Sequence, residues 1–221
     1  MDALEHAGSA FLRKDPYWPA QLAVLATILL DLDLPQTLTI RPGWLMPALE
    51  GVLLVVLVAT TPWADTPPRP QRRIVAMVLI SVVSVTNLLS LILLCQHLLA
   101  GGHADARQLV LAGGEIWITN VLIFGLWFWE LDGGGPSERA QASETVCDFL
   151  YPQMTDPRLG AGVWRPNFVD YLYTSLTNAA AFSPTDTMPL TARAKLLMGV
   201  QSVTSLVTIG LVVARAVNIL R

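Results

Sequence analysis

Four stretches of this chain run for about 17 to 27 residues with almost no charge, the length an α-helix needs to cross roughly 30 Å of hydrocarbon. A backbone in lipid must satisfy its own hydrogen bonds, so such stretches can only be helical here. The composition agrees. Of the 221 residues, 53% are hydrophobic and 14% charged, whereas soluble domains carry about 25% charged residues. The expectation is an all-α transmembrane protein of about five membrane helices, multi-pass in the cell membrane, with the lipid bilayer as its main partner. A net charge of −3 without a basic stripe excludes nucleic acid. The acidic start, Met-Asp-Ala-Leu-Glu-His, does not read as a cleaved signal peptide. Two cysteines, three scattered histidines and no CxxC or HExxH spacing predict no disulfide framework, metal or cofactor.

The first candidate span covers about 17–34, with an apolar core at 22–30 closed by Asp31 and Asp33; it either spans with Trp18 as its anchor or lies partly in the interface. The second covers about 44–58 and leads into a proline-rich loop. The third, 74–99, carries Ser81, Ser84, Asn87 and Ser90 at three-residue steps, so they share one helix face. Small polar residues in such a row hold membrane helices together. The fourth span covers about 116–128. Residues 1–130 thus form an N-terminal four-helix membrane region. Residues 131–167 read as a polar, interfacial loop opened by Gly133-Gly134-Gly135-Pro136, with Phe149–Pro152 and Val163-Trp164 resting at the membrane surface. The tryptophans lie near span ends and read as interface anchors. Residues 168–221 comprise a pore-like half-helix, a filter-like turn and a closing helix over about 192–220.

The stretch from Ser175 to Thr191, SLTNAAAFSPTDTMPLT, resembles the pore loop of potassium channels, approximately S-x-x-T-x-T-T-V-G-Y-G-D-x-x-P-x-T. Ser175, Asp186, Pro189 and Thr191 coincide with its serine, aspartate, proline and final threonine without gaps. The chain as a whole also resembles a group of bacterial multi-span membrane proteins with the same C-terminal pattern. The first resemblance implies a re-entrant half-helix containing Ser175, Thr177 and Asn178, a filter-like loop formed by Ala181, Phe182, Ser183, Pro184, Thr185 and Asp186, and an inner helix. Gly199 and Gly210 would be hinges of that inner helix, while Ser202, Ser205 and Thr208 would line the conduit or pack against neighbours. One pore loop cannot enclose an axis, so this reading requires a symmetric homo-oligomer, a tetramer by resemblance, with a small inorganic ion as ligand. The filter itself departs from the family. Where potassium channels aim successive carbonyls at the ion, this chain has no glycine, and Pro184 fixes its own φ and lacks an N–H. A potassium-selective filter is not expected. Two functional classes stay open: an oligomeric ion channel, and a non-conducting structural or regulatory protein that keeps the topology. No nucleophile, histidine or metal cluster accompanies Asp170 or Asp186, so an enzyme is not expected.

Glu50 lies inside the second span, a costly place for a bare carboxylate. Arg215, Asn120 and the somewhat deeper Asn87 lie near its depth, so Glu50 is expected to pair with Arg215 or to accept from these amides as an intramembrane polar clamp. Its alternative role is in an ion or proton route. Positive charge sets the orientation. With five spans, ten Lys and Arg residues, among them Arg73, Arg139 and Lys195, share one side and four the other, which makes the first side cytoplasmic. The pore-like loop would then open to the cytoplasm, inverted relative to potassium channels, as in glutamate-receptor channels. Reporter fusions after Arg73 and after Gly135 are expected to give a cytoplasmic signal at both positions; an extracellular signal from both reverses the orientation.

Overall fold

The computed structural model describes residues 17–39, 42–60, 70–99, 106–141, 147–156, 158, 164–181, 183 and 186–219. These residues are mostly helical. In chain order the helices are α1 (Trp18–Asp33), α2 (Leu45–Thr60), α3 (Pro70–Leu99), α4 (Ala106–Leu131), the short α5 (Pro136–Gln141), α6 (Phe168–Ala181) and α7 (Ala192–Ile219). Two-residue strands β1 (Phe149–Leu150) and β2 (Met188–Pro189) pair antiparallel, Phe149 opposite Pro189 and Leu150 opposite Met188. Three helical stretches among the described residues are long and apolar enough to cross a membrane: Gln71–Leu98, Arg107–Gly134 and Ala192–Arg215. Leu45–Thr60 is apolar but shorter.

The end of α4 and the starts of α6 and α7 have local causes. α4 runs into Gly133, Gly134 and Gly135, whose φ values of 54°, 84° and 97° lie in the left-handed region that a Cβ disfavours. α6 opens with a reciprocal cap. The Asn167 side chain accepts from the backbone N–H of Val169 at 2.8 Å, while Asp170 accepts from the backbone N–H of Asn167 at 2.8 Å. At the head of α7, Thr191 Oγ1 accepts from the N–H of Ala194 at 3.3 Å and donates to Asp148 Oδ1 at 2.5 Å.

α1 to α4 alternate in direction, whereas α6 and α7 start at the same end of the bundle, which gathers the starts of α1, α3, α6 and α7 with the end of α4. Tyr17 and Phe168 each meet the buried Trp129 edge to face, with ring centroids 5.8 Å apart in both pairs. Arg72 lies 4.0 Å over the Tyr17 ring and 3.5 Å from Glu130, an ion pair shielded from solvent. Trp129 was read as an interface anchor; it is 2% exposed and sits in the core instead. Trp18 and Trp44 do face outward, at 60% and 65% exposure.

The 131–167 connection also departs from a loop at the surface. Phe149 and Tyr151 are buried, Phe149 against Phe128 (centroids 5.0 Å apart) and Tyr151 against Tyr171 (5.7 Å). The cause is polar. Buried Asp132 accepts from the N–H groups of Asp148 (2.5 Å) and Phe149 (3.3 Å), and from the Tyr171 hydroxyl (2.5 Å). Three donors satisfy the buried carboxyl group, and its bonds hold this part of the connection against the helices. Too apolar-poor for a core of its own, the segment shares that of the bundle.

The outward faces of the long helices are apolar. Leu22, Leu25 and Leu29 on α1, Val52 and Val55 on α2, and Leu196, Val200 and Val203 on α7 are all exposed. Soluble monomers rarely expose contiguous apolar surface on this scale; a lipid solvent accounts for it. Inside, α6 approaches α4 closely because Gly125 has no side chain: a Cβ there would lie 3.2 Å from Leu172 Cα. Gly125→Val is expected to force the two helices apart and cost about 1–3 kcal/mol, seen as a lower melting midpoint in detergent; an unchanged midpoint would mean that the contact yields freely.

Candidate functional site

The candidate site is built on α6, the segment that follows it, and the upper half of α7. α6 holds 14 residues, about 21 Å at 1.5 Å per residue, roughly half the length of α4 or α7. Polar side chains lock it between those two helices. Ser175 Oγ donates to the Val121 carbonyl on α4 at 2.6 Å. From α7, Gln201 Nε2 donates to Ser175 Oγ at 2.6 Å and to its carbonyl at 3.0 Å. Asn178 Nδ2 donates to Gln201 Oε1 at 2.8 Å and to the Met198 carbonyl at 3.0 Å, and Asn178 Oδ1 accepts from Ser202 at 3.3 Å. Ser205 Oγ donates to the Ala179 carbonyl at 2.6 Å and accepts from Trp117 Nε1 at 2.7 Å. Ser175, Gln201 and Ser205 are fully buried and Asn178 nearly so. In a low-dielectric interior each such bond strengthens, and the network as a whole rigidifies its members.

Among the residues assigned to the half-helix, Ser175 and Asn178 thus face inward. Thr177 is half-buried and returns its hydroxyl to the Tyr173 and Thr174 carbonyls at 3.0 and 3.1 Å. On α7, Ser205 and Thr208 are both fully buried within the chain. Thr208 donates to the Thr204 carbonyl at 2.8 Å. Gly199 and Gly210 face outward, with nothing within 4 Å of where a Cβ would stand. Of the filter-like residues, Ala181, Ser183 and Asp186 are exposed; Phe182, Pro184 and Thr185 lie outside the described residues. Past the turn, Thr187 is buried with its hydroxyl 3.3 Å from that of Thr174 on α6, and β2 follows at the upper end.

That upper end is fastened by charge. Arg193, at the head of α7, pairs with Asp148 and donates to the Leu131 carbonyl at 3.1 Å. Arg139 Nη1 donates to the carbonyls of Trp129 (2.8 Å) and Asp132 (2.5 Å), its guanidinium 5.0 Å from the Tyr171 ring centre. Beside this cluster Tyr151 accepts a long hydrogen bond (3.4 Å) from Thr174. Burial pushes the Tyr151 pKa up, so its hydroxyl stays protonated.

The expected clamp is arranged differently. Glu50 is fully buried, and neither carboxylate oxygen has a hydrogen-bond partner. It shares a small cavity with Asp31, Thr86, Asn87 and Thr119. No ion pair joins it to Arg215, whose Nε is buried without a hydrogen-bond partner. Asn120 is buried with an unpartnered Nδ2. Equal depth did not make Glu50 and Arg215 neighbours: α2 packs on α1 and α3, whereas α7 packs on α4 and α6.

No protein-family model, curated protein or solved structure matches this chain. Its chemistry has to be read from its own side chains. Gln201, which locks Ser175, is not singled out by sequence reasoning, which reads Trp117, the donor to Ser205, as an interface anchor and Asp31 only as the end of a span. A lone glutamine inside an apolar helix was the available signal, since a buried amide in a membrane helix demands partners.

Removing Gln201 leaves Ser175 and Asn178 with unmet groups. Gln201→Leu is expected to cost about 1–3 kcal/mol. Combined with Ser175→Ala it should cost less than the two separate losses together, with a coupling of about 0.5–3 kcal/mol. Strict additivity in detergent melting would show that the network does not act as a unit.

Proposed function

We propose that this chain is a channel-like integral membrane protein that works as a homo-oligomer, a tetramer being favoured, and passes a small inorganic cation through a pathway lined by the segment after α6. In this reading α1 and α2 are membrane-embedded with the three long helices, giving about five membrane helices, and α6 is a re-entrant half-helix. The observation that carries the reading is the course of the chain from Phe168 to Met188. Phe168 packs on Trp129 at one end of the bundle, Ala179 meets Ser205 well inside it, and Met188 is back at the first end beside Leu150.

Two features favour a cation. The carbonyl end of α6, where the helix dipole is negative, lies at Ala181, and Asp186 is exposed just beyond. Two more favour assembly. The window of α7 that would span the bilayer is only 22% buried within one chain, and Gly199 and Gly210 leave room on its open face for a close neighbour. The lack of glycine in the turn argues for weak selectivity among cations.

A specific observation favours the second reading, a non-conducting structural or regulatory protein. Ser175, Asn178, Ser205 and Thr208, the polar groups best suited to line a conduit, are satisfied inside one chain. Liposome flux with the purified full-length protein separates the two. A conduit is expected to carry monovalent cations and to lose most of that flux in Asp186→Ala, in a particle holding about four chains of 24.0 kDa. A monomeric particle with no flux of any small ion would establish the second reading.

A further inference from the structure

The four helices α1–α4 enclose a second polar site, remote from the α6 turn. Its centre is Glu50, one of the largest side chains in the molecule with no exposed surface. Both its carboxylate oxygens lack hydrogen-bond partners. They border a cavity with about 10 Å³ of free volume, lined by Thr27, Asp31, Glu50, Thr86, Asn87 and Thr119 among others, near the threshold for holding one water-sized particle. Asp31 is itself 9% exposed.

The remaining chemistry of the cavity is biased toward lone pairs. Thr27 donates its hydroxyl proton to the Val24 carbonyl at 2.7 Å, while the Thr86 hydroxyl, 3.1 Å from the Val82 carbonyl, also faces the Glu50 carboxylate. Asn87 and Thr119 add an amide and a hydroxyl to the lining, but the two carboxylates bring more acceptor sites than these groups have protons. No basic side chain lines the space. α3 has no charged residue between Arg73 and His97, α2 contributes Glu50 alone, and α4 contributes only Glu115 between Arg107 and Glu130. Glu115 and Asp33 face each other toward the outer end of α1, extending the acidic row instead of balancing it. Two carboxylates without a basic partner carry a large desolvation cost inside a membrane protein, which protons on the carboxyls or a bound cation would relieve.

We infer that Glu50 and Asp31, with the hydroxyls of Thr27 and Thr86, form a binding site for one dehydrated monovalent cation of Na⁺ size, in competition with protons. A monovalent ion fits better than a divalent one. Among the described residues no group of three carboxylate, histidine or cysteine side chains converges, whereas divalent sites draw on more carboxylates and a larger oxygen shell. The Asp33–Glu115 pair would attract cations toward the cavity from the nearer end of the bundle. The site belongs to α1–α4, and its existence does not depend on conduction past Asp186.

The test is thermal melting of the full-length protein in detergent, titrated with NaCl against choline chloride at constant ionic strength. Na⁺ is expected to raise the midpoint saturably by several degrees, and choline is not. The Na⁺ concentration for half the effect should rise by up to about tenfold for each unit of pH lowered, because cation and proton compete for the same oxygens. Glu50→Gln and Asp31→Asn should each abolish the Na⁺ response, while Asp186→Ala should keep it. Equal midpoints in Na⁺ and choline would overturn the site. So would a pH-dependent midpoint indifferent to the cation, which would leave a proton as the sole ligand, or a response to Ca²⁺ alone. Loss of the response in Asp186→Ala would move the cation to the α6 turn and refute this placement. Should Glu50→Gln not fold, Asp31→Asn and the cation comparison on the unmodified chain still decide.

Discussion

A short helix packed between two longer ones must find partners for the polar side chains that it buries. α6 meets that constraint through hydrogen bonds to both neighbours. Ser175 reaches α4, Asn178 and Gln201 join α6 to α7, and Ser205 takes up the Ala179 carbonyl near the broken end. An amide such as Gln201, with donor and acceptor both engaged, fixes rotation and height together, since a shift of one residue would orphan several groups at once. The long helices around it are under no such demand. Their backbone is satisfied within each helix, and their outward faces need only be apolar.

This difference explains what could be read from the chain beforehand. Long charge-free runs map directly onto helices because a membrane solvent permits little else. The starts of α6 at Phe168 and of α7 at Ala192 agree with the sequence reading, with Asn167, Asp170 and Thr191 as capping residues, whereas α6 ends at Ala181, one residue inside the segment read as filter-like. The start of α4 was less legible: it lies about ten residues before the apolar run at Ile116, because Arg107, Gln108 and Glu115 dilute the pattern without breaking the helix.

Pairing was the part that the one-dimensional pattern did not carry. Depth along a helix can be counted, so Glu50 and Arg215 were placed at one level; which helix faces which depends on packing around the bundle, and α4 with its neighbours intervenes. The burial of Phe149, Tyr151 and Trp129 was hidden for a related reason. Their positions depend on Asp132, whose three donors come from residues 16, 17 and 39 positions away. A carboxylate just before three glycines looks like turn chemistry; only the fold reveals it as a buried acceptor.

The two-residue ladder between Leu150 and Met188 is small, yet it joins segments that are distant along the chain. Leu190 N–H donates to the Asp148 carbonyl at 2.8 Å, Thr191 and Arg193 grip the Asp148 side chain, and Asp148 in turn hangs from Asp132. The long connection and the foot of the last helix are therefore riveted into one mechanical piece. Displacing Asp148 would therefore loosen three places at once: the strand pair, the head of α7 and the tether to Asp132.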